Sequence, residues 1–443
     1  MQHNYINTII SKKNAPVFVY YFILLLIMLS WTNPDSAPNV FFRVVYMLLL
    51  FIPLVKYNTL LPMVVTLFYT ISAYSFSYNF LPSNIYIYAL IILILWVFSK
   101  YTLTNNDQIF EGSKRFVFLC VFVLLVDLLN ELKIQSIFYS IFICLLLSRF
   151  INYDKKTSIE YLALAFVTST FILSLFYFIF GKNFIQEYSV GGIYSLDRIT
   201  WHDPNYFGAV IGIGLLVAVD LLLRDKVGVS YKLYLVSTII LSIIALGVNA
   251  SRGALLAVGI SVLVLILKSK IKLIYKLLIT LSIVALVYYL YSNQYLDLLI
   301  YRIEADDGTG SGRLDIWNVK ISAFINNGNP IRWLFGYGYE GGFRLGFTQT
   351  GLGYFGFHND FIAFLVDYGI VGIALFISVL ILPLRLVSSQ LRTTVISLIA
   401  YIVTICMTLE PLTAGRLPFF IFYFYIYLLA ISNKKQQKSV TSY

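Results

Sequence analysis

The sequence predicts an all-α polytopic membrane protein of about 12–14 transmembrane helices, with one large late extracytoplasmic loop that contains short helices. Three observations predict it. The 443 residues are 59% hydrophobic and only 12% charged, with a mean hydropathy of +0.82, and a soluble chain of this length needs far more charge to cover its surface. Apolar runs of spanning length recur from one end to the other, rich in Phe and Tyr, which suit lipid-facing helices and interfacial belts. One segment, 293–357, breaks that rhythm: it holds no spanning run, yet lies between two.

Taken in order, Lys12-Lys13 precede an apolar run from Val17 to Ser30 that resembles a signal peptide. The Asn33-Pro34-Asp35-Ser36-Ala37-Pro38 stretch is a poor cleavage site and further helices follow at once, so a retained first helix is expected. Spans are expected at about 17–32, 40–55, 59–79, 84–99, 116–131, 134–150, 159–180, 204–223, 233–249, 254–267, 277–292, 358–384, 393–410 and 417–432. They divide the chain into four parts. Residues 1–180 are N-terminal spans; 181–292 are spans with an outer loop at 181–203 and an outer turn at 249–253. Residues 293–357 form the large extracytoplasmic loop, and 358–443 the last spans and a cytoplasmic tail. The spans are nearly free of charge, Asp127 being an exception.

Orientation follows from basic residues. Lys12-Lys13, Lys100 with Lys114-Arg115, Arg149 with Lys155-Lys156, Arg224-Lys226-Lys232, Lys268 to Lys276, Arg385 with Arg392 and Lys434-Lys435-Lys438 fall on one side, the cytoplasmic one. Both termini are then cytoplasmic. The net charge of +11 is read as setting orientation, not as binding nucleic acid. Cys120, Cys144 and Cys406 all lie in apolar runs, with no metal spacing and no disulfide implied.

The kind of cation also sorts by side: mostly Lys within, mostly Arg without. Topology needs only charge, whereas Arg adds a planar fork that matches phosphate oxygens and is never deprotonated. An anionic ligand on the outer face would explain the choice; pairing with Asp197, Glu304, Asp306, Asp307 and Asp315 to brace the loops is the plainer explanation.

Four constellations could carry chemistry. Arg198-Ile-Thr-Trp-His202-Asp203-Pro204 closes one outer loop, and Asp203-Pro204 is a good helix start that leaves Arg198 and His202 to be explained. Asn249-Ala-Ser251-Arg252-Gly253 sets a charge close to the hydrocarbon, a functional signal unless the side chain only reaches the headgroups. In the long loop, Gly312-Arg313-Leu-Asp315-Ile-Trp317 begins a short amphipathic helix over about 313–326, which Pro330 and Gly336-Tyr-Gly338-Tyr-Glu-Gly341 interrupt. The latter spells G-x-G-x-x-G outside any βαβ unit and is not a nucleotide motif. Asp306-Asp307-Gly308-Thr-Gly310 lacks the alternating oxygens and distal Glu of a calcium loop, so no metal site is expected. Finally, His358-Asn359-Asp360 opens a helix whose N-terminal dipole favours neutral imidazole, suited to accept a proton from an attacking hydroxyl; a cap or interfacial anchor is the alternative.

In this order and spacing, with Asp367-Tyr-Gly369-Ile-Val-Gly372 following, these motifs resemble the O-antigen polymerase and O-antigen ligase superfamily of bacterial envelope assembly, over roughly 190–380. The resemblance implies a glycosyltransferase of the bacterial plasma (inner) membrane. It would move a glycan from undecaprenyl diphosphate to a sugar hydroxyl on the outer face. It implies that Arg252 and Arg313 hold the diphosphate, that Arg198 assists, and that His358 activates the acceptor. His202, Arg302, Arg332 and Arg344 are further candidate substrate contacts without a secure counterpart. The implied partners are an undecaprenyl-diphosphate-linked oligosaccharide, membrane lipids and a chain-length regulator protein, with no cofactor. A diphosphate is already a good leaving group, so the chemistry needs cations and a base and no metal. Polymerase, acting on a lipid-linked repeat unit, is favoured over ligase, acting on lipid A core, because the N-terminal half is generic and divergent. A lipid-linked oligosaccharide transporter would show internal repeats and charges at mid-membrane, and this chain shows neither pattern.

Overall fold

The computed structural model describes residues 114–130, 155–180, 186–190, 193–197, 204–224, 228–249, 251–268, 272–293, 296–304, 312–346, 356–412 and 417–432. The expected spans at 17–32, 40–55, 59–79, 84–99 and 134–150 lie outside them. Each of the others is met by a helix: α1 (Lys114–Leu129), α2 (Lys155–Phe180), α3 (Pro204–Arg224), α4 (Val229–Asn249), α5 (Arg252–Lys268), α6 (Leu273–Ser292), then, after the loop, the helices from Asp360 onward. Asn205–Leu223, Val229–Asn249 and Asp360–Leu380 are each long and apolar enough to cross a membrane. The chain is thus a helical membrane protein. Its one non-helical element among the described residues is an antiparallel hairpin, β1 (Gln186–Val190) with β2 (Ile193–Asp197), pairing Val190 with Ile193 and Gln186 with Asp197.

The chain divides into two compact units. The first takes in Glu160–Ala245 among the described residues. Its centre is α3, buried from Tyr206 to Ala218. Gly214 of α3 lies where an added Cβ would overlap the Thr170 side chain of α2, and Tyr177 stacks on Phe207 with ring centroids 5.3 Å apart. On α4, Tyr234 donates to the Thr168 hydroxyl at 3.1 Å. Small residues at the crossing let two backbones approach, which is how helices associate in lipid.

The second unit takes in α1 and Leu246–Tyr443. Between α6 and the next long helix the 293–357 segment folds as α7 (Asp297–Glu304), α8 (Arg313–Asn327), α9 (Pro330–Phe335) and α10 (Gly341–Gly346). Local chemistry sets their ends. Gly312, in the left-handed region at φ +77°, starts α8. Asn329 caps α9 by accepting from the Arg332 N–H, with Pro330 at the first position and Gly336 at φ +75° closing it. The remaining helices are α11 (Asp360–Leu380), α12 (Leu382–Leu386), α13 (Arg392–Thr408) and α14 (Leu417–Ser432).

Helices α5 and α13 pack on one another, and Ser397 donates to the Ser261 carbonyl at 2.8 Å across the contact. Helix α11 is not continuous: Gly369 takes φ +68°, ψ −170° inside it. Helix α9 lies against that kink and α1 against the same helix. Helix α6 exposes Leu273, Ile274, Leu277, Leu278, Leu281 and Val284, an apolar surface that suits lipid and not water.

Candidate active site

The centre of the site is the short connection that leaves α13, Thr408 to Leu412. The last carbonyls of a helix have no partner within it, and their partial negative charge attracts cations. Arg313, the first residue of α8, supplies one: its Nη1 donates to the Thr408 carbonyl at 2.8 Å. From α5, Gly253 lies so close that an added Cβ would sit 2.8 Å from the Thr408 hydroxyl. That contact places Arg252 at the same end of α13. From α11, the Asp360 N–H donates to the Leu409 carbonyl at 3.2 Å, and the Leu412 N–H donates to Asp360 Oδ2 at 3.1 Å. The backbone N–H of His358 donates to the Glu410 carboxylate. Three separate stretches of sequence are thereby tied to five consecutive residues, and these stretches carry Arg252, Arg313 and His358.

His358 adopts φ +50°. For a residue with a Cβ the left-handed region costs about 1–2 kcal/mol, so its surroundings must hold it there. The preceding residue is clamped: Trp317 Nε1 donates to the Phe357 carbonyl at 2.6 Å, and Lys320 Nζ lies 4.1 Å from the centre of the Phe357 ring. Gly342 gives that ring its space, since a Cβ there would overlap it. The following residue, Asn359, is the N-cap of α11, its side chain accepting from the Phe361 and Ile362 N–H groups at 2.9 and 3.2 Å. The cap reading of His358 is therefore corrected: Asn359 fills that role, and His358 stands outside the helix.

Charge beneath His358 is concentrated and buried. Lys320 is 1% exposed and Asp360 0%. Burial pushes the Glu410 carboxyl up to about 8, and neighbouring Asp360 adds to the rise, while the His358 N–H and Lys320 pull it back. Glu410 Oε1 has no hydrogen-bond partner among the described residues. Burial lowers the Lys320 ammonium, and Glu410 and Asp367 oppose that shift. A buried acid and a buried ammonium beside the His358 backbone, with Arg313 on the Thr408 carbonyl and Arg252 next to Gly253, make a set that can bind an anion and move a proton. Among the described residues no group of three or more His, Cys, Asp or Glu could hold a metal ion.

A second cluster lies where α9 meets α1 and α11. Arg332 donates through Nη1 to Asn130 Oδ1 and, at 3.3 Å, to the Gly336 carbonyl, with its guanidinium 5.0 Å from the Tyr337 ring centre. Asp127 accepts from the Tyr339 N–H at 2.7 Å. Arg332 therefore braces this joint and is not brought to the Thr408–Leu412 connection. Arg302 and Arg344 fall in α7 and α10, but their side chains, like Arg198 and His202 altogether, lie outside the described residues.

Sequence reasoning missed Glu410 and Lys320, and gave Asp360 no part beyond opening the helix. Glu410-Pro411 was the available signal, because a carboxylate and a proline after an apolar run mark its end; reading the span on to 410 hid it. Besides Asp127, Asp220 in α3 and Asp367 in α11 are buried acids within the spans.

No protein of curated function matches the chain. Residues 237–377 match the family model described as O-antigen ligase, so the resemblance to the O-antigen ligase and polymerase superfamily holds over the stretch that carries Arg252, Arg313 and His358.

Proposed function

We propose that the protein polymerises O-antigen or a related surface polysaccharide. The growing glycan is transferred from undecaprenyl diphosphate to a sugar hydroxyl of a lipid-linked repeat unit at the outer face of the plasma membrane. The observation that carries the reading is that the segments bearing Arg252, Arg313 and His358, all three within the stretch similar to O-antigen ligase, meet at Thr408–Leu412. The acceptor oxygen attacks the anomeric carbon and its proton passes to His358. The anomeric C–O bond breaks, and its electron pair leaves with the diphosphate, whose growing charge Arg252 and Arg313 meet, with Arg198 assisting. One direct displacement inverts the anomeric centre. Arginines fill the part that a metal plays elsewhere, so the transfer is metal-independent. His202, Arg302 and Arg344 remain candidate sugar or phosphate contacts. The orientation with both termini cytoplasmic, the loop 293–357 as a cover over the donor head group, and a chain-length regulator as partner belong to the same reading.

The test is purified protein in detergent with lipid-linked repeat units: elongation supports a polymerase, and inert protein on a competent donor and acceptor overturns it. A ligase is the second reading, favoured by the description of the matching family. A deletion strain separates them, since loss of a polymerase leaves lipid A core capped with one repeat unit. Loss of a ligase leaves lipid-linked chains accumulating and no O-antigen on the core.

A further inference from the structure

We infer that Lys320 is a positioning residue for the transfer, holding the Phe357-His358 turn and the Glu410 carboxylate in their working arrangement. The inference rests on the proposed role of His358. Arg313, Trp317, Lys320 and Phe324 follow one another at intervals of four, three and four, which places them on one face of α8. That face meets the site three times: Arg313 on the Thr408 carbonyl, Trp317 on the Phe357 carbonyl, Lys320 on the Phe357 ring. The two contacts to Phe357 differ in kind. Trp317 fixes the backbone just before the left-handed His358, and Lys320 fixes the ring plane through a desolvated cation–π contact.

A Leu or Met at position 320 would pack on the same ring without the cost of burying an ammonium. What the charge adds is its effect on acids. Glu410, from the connection after α13, and Asp367, from α11, are the charged groups that act on Lys320. Asp360, Asp367, Lys320 and the His358 N–H act on Glu410. Of these only Lys320 is a cation, and it favours the ionised carboxylate that accepts from His358. Lys320 therefore acts through two neighbours of His358, the ring of the residue before it and the carboxylate on its backbone N–H, without touching substrate.

The experiment compares Lys320→Met, Lys320→Arg, His358→Ala and the parent protein, each checked by size-exclusion chromatography and thermal melting in detergent. Elongation of lipid-linked repeats is followed against donor concentration and pH. The expected result for Lys320→Met is kcat lower by about 10–100-fold, the scale of a misplacement of about 1 Å. The donor KM stays within about twofold, and the acidic limb of the kcat profile moves to higher pH, because Glu410 loses its cation. Lys320→Arg restores most of the activity. If Lys320→Met melts too low to assay, Phe357→Leu, which removes the ring and keeps the ammonium, must lower kcat without moving the pH limb. A Lys320→Met protein with parental kcat and pH profile, beside an inactive His358→Ala, overturns the inference alone. A fully active His358→Ala overturns the reading on which it rests.

Discussion

The backbone N–H of Gly338 donates to the carbonyl oxygen of Asp367 at 2.7 Å, and the Tyr337 N–H donates to the Val366 carbonyl at 3.2 Å. In an unbroken helix those carbonyls would accept from residues 370 and 371. The non-helical Gly369 interrupts that ladder, and the Gly336-Tyr-Gly338 turn takes the place of the missing donors. The two glycine motifs of the sequence, sixty and more degrees into positive φ at Gly336, Gly338 and Gly369, are thus two halves of one joint between the loop and α11.

A methyl group at either side of that joint has nowhere to go. A Cβ on Gly336 would overlap the Asp367 carbonyl, and one on Gly369 the Leu334 carbonyl, backbone atoms in both cases. Gly336→Ala and Gly369→Ala are each expected to destabilise by about 2 kcal/mol or more, the left-handed cost plus the clash. The measurement is a lowered melting temperature in detergent. A melting temperature equal to that of the parent protein would show that the joint yields easily.

Asp127 is the acid most easily mistaken for a transport or catalytic group. Its Oδ1 accepts from the Tyr339 N–H at 2.7 Å, which makes it an anchor for the residue after the glycine turn. Asp127→Ala leaves a buried donor unsatisfied, a loss of about 1–3 kcal/mol, and Asp127→Asn loses less because an amide oxygen still accepts. Activity per folded molecule stays at the parent level in both. Normal melting with abolished activity in Asp127→Ala would instead assign the carboxylate to the chemistry.

Helix α8 and the spans on either side of the loop could be read from the chain because local rules set them. Arg313 follows a glycine, Asp315 sits in the first turn, and apolar runs of the right length flank the loop. The strand pair 186–190 and 193–197 had a signal as well, two β-prone runs separated by Gly191-Gly192. The Thr408–Leu412 connection could not be read. Its importance comes from Asp360, Arg313 and Gly253, partners 52, 95 and 155 residues away in sequence, and only the packing of α5, α8 and α11 on α13 reveals it. Lys320 escaped for a related reason: in the chain it is one lysine in an amphipathic helix, and its burial is a tertiary fact.

The two arginines of the loop that can be compared should behave differently. Arg313 reaches the Thr408 end of α13, whereas Arg332 is tied to Asn130 and Gly336. Arg313→Ala is expected to lower kcat/KM by about 10²–10³-fold, as for loss of a donor to developing charge, and Arg313→Lys to recover part of it. Arg252→Ala should follow Arg313→Ala. Arg332→Ala should lower the melting temperature and leave the kcat of the folded fraction within about twofold. Equal kinetic losses for Arg332 and Arg313 would place Arg332 in the substrate site after all.

Glu410 gives stability a definite pH dependence. Its carboxyl rises from an ordinary 4.5 to about 8 in the folded protein, mainly through burial. Between those values the folded state holds a proton that the unfolded chain has released, so unfolding releases it and stability falls as pH rises through this window. Below about 4.5 both states are protonated, and above about 8 both are ionised, so the slope from this group vanishes at each end. Glu410→Gln cannot release a proton, and its melting temperature should decline less than that of the parent protein between pH 5 and 8. Parallel curves for the two proteins would show that Glu410 ionises normally in the fold.

Metal removal separates arginine-assisted transfer from metal-assisted transfer. With Arg252 and Arg313 meeting the diphosphate, chain elongation in EDTA should stay within about twofold of the untreated rate, because fixed guanidinium groups stabilise the leaving group without a bridging ion. The control is Arg313→Ala in the presence and absence of magnesium. If the arginine carries the charge, added magnesium does not restore the variant. Activity abolished by EDTA and restored by magnesium in the parent protein would instead give the diphosphate to a metal ion and leave the arginines to orient the donor.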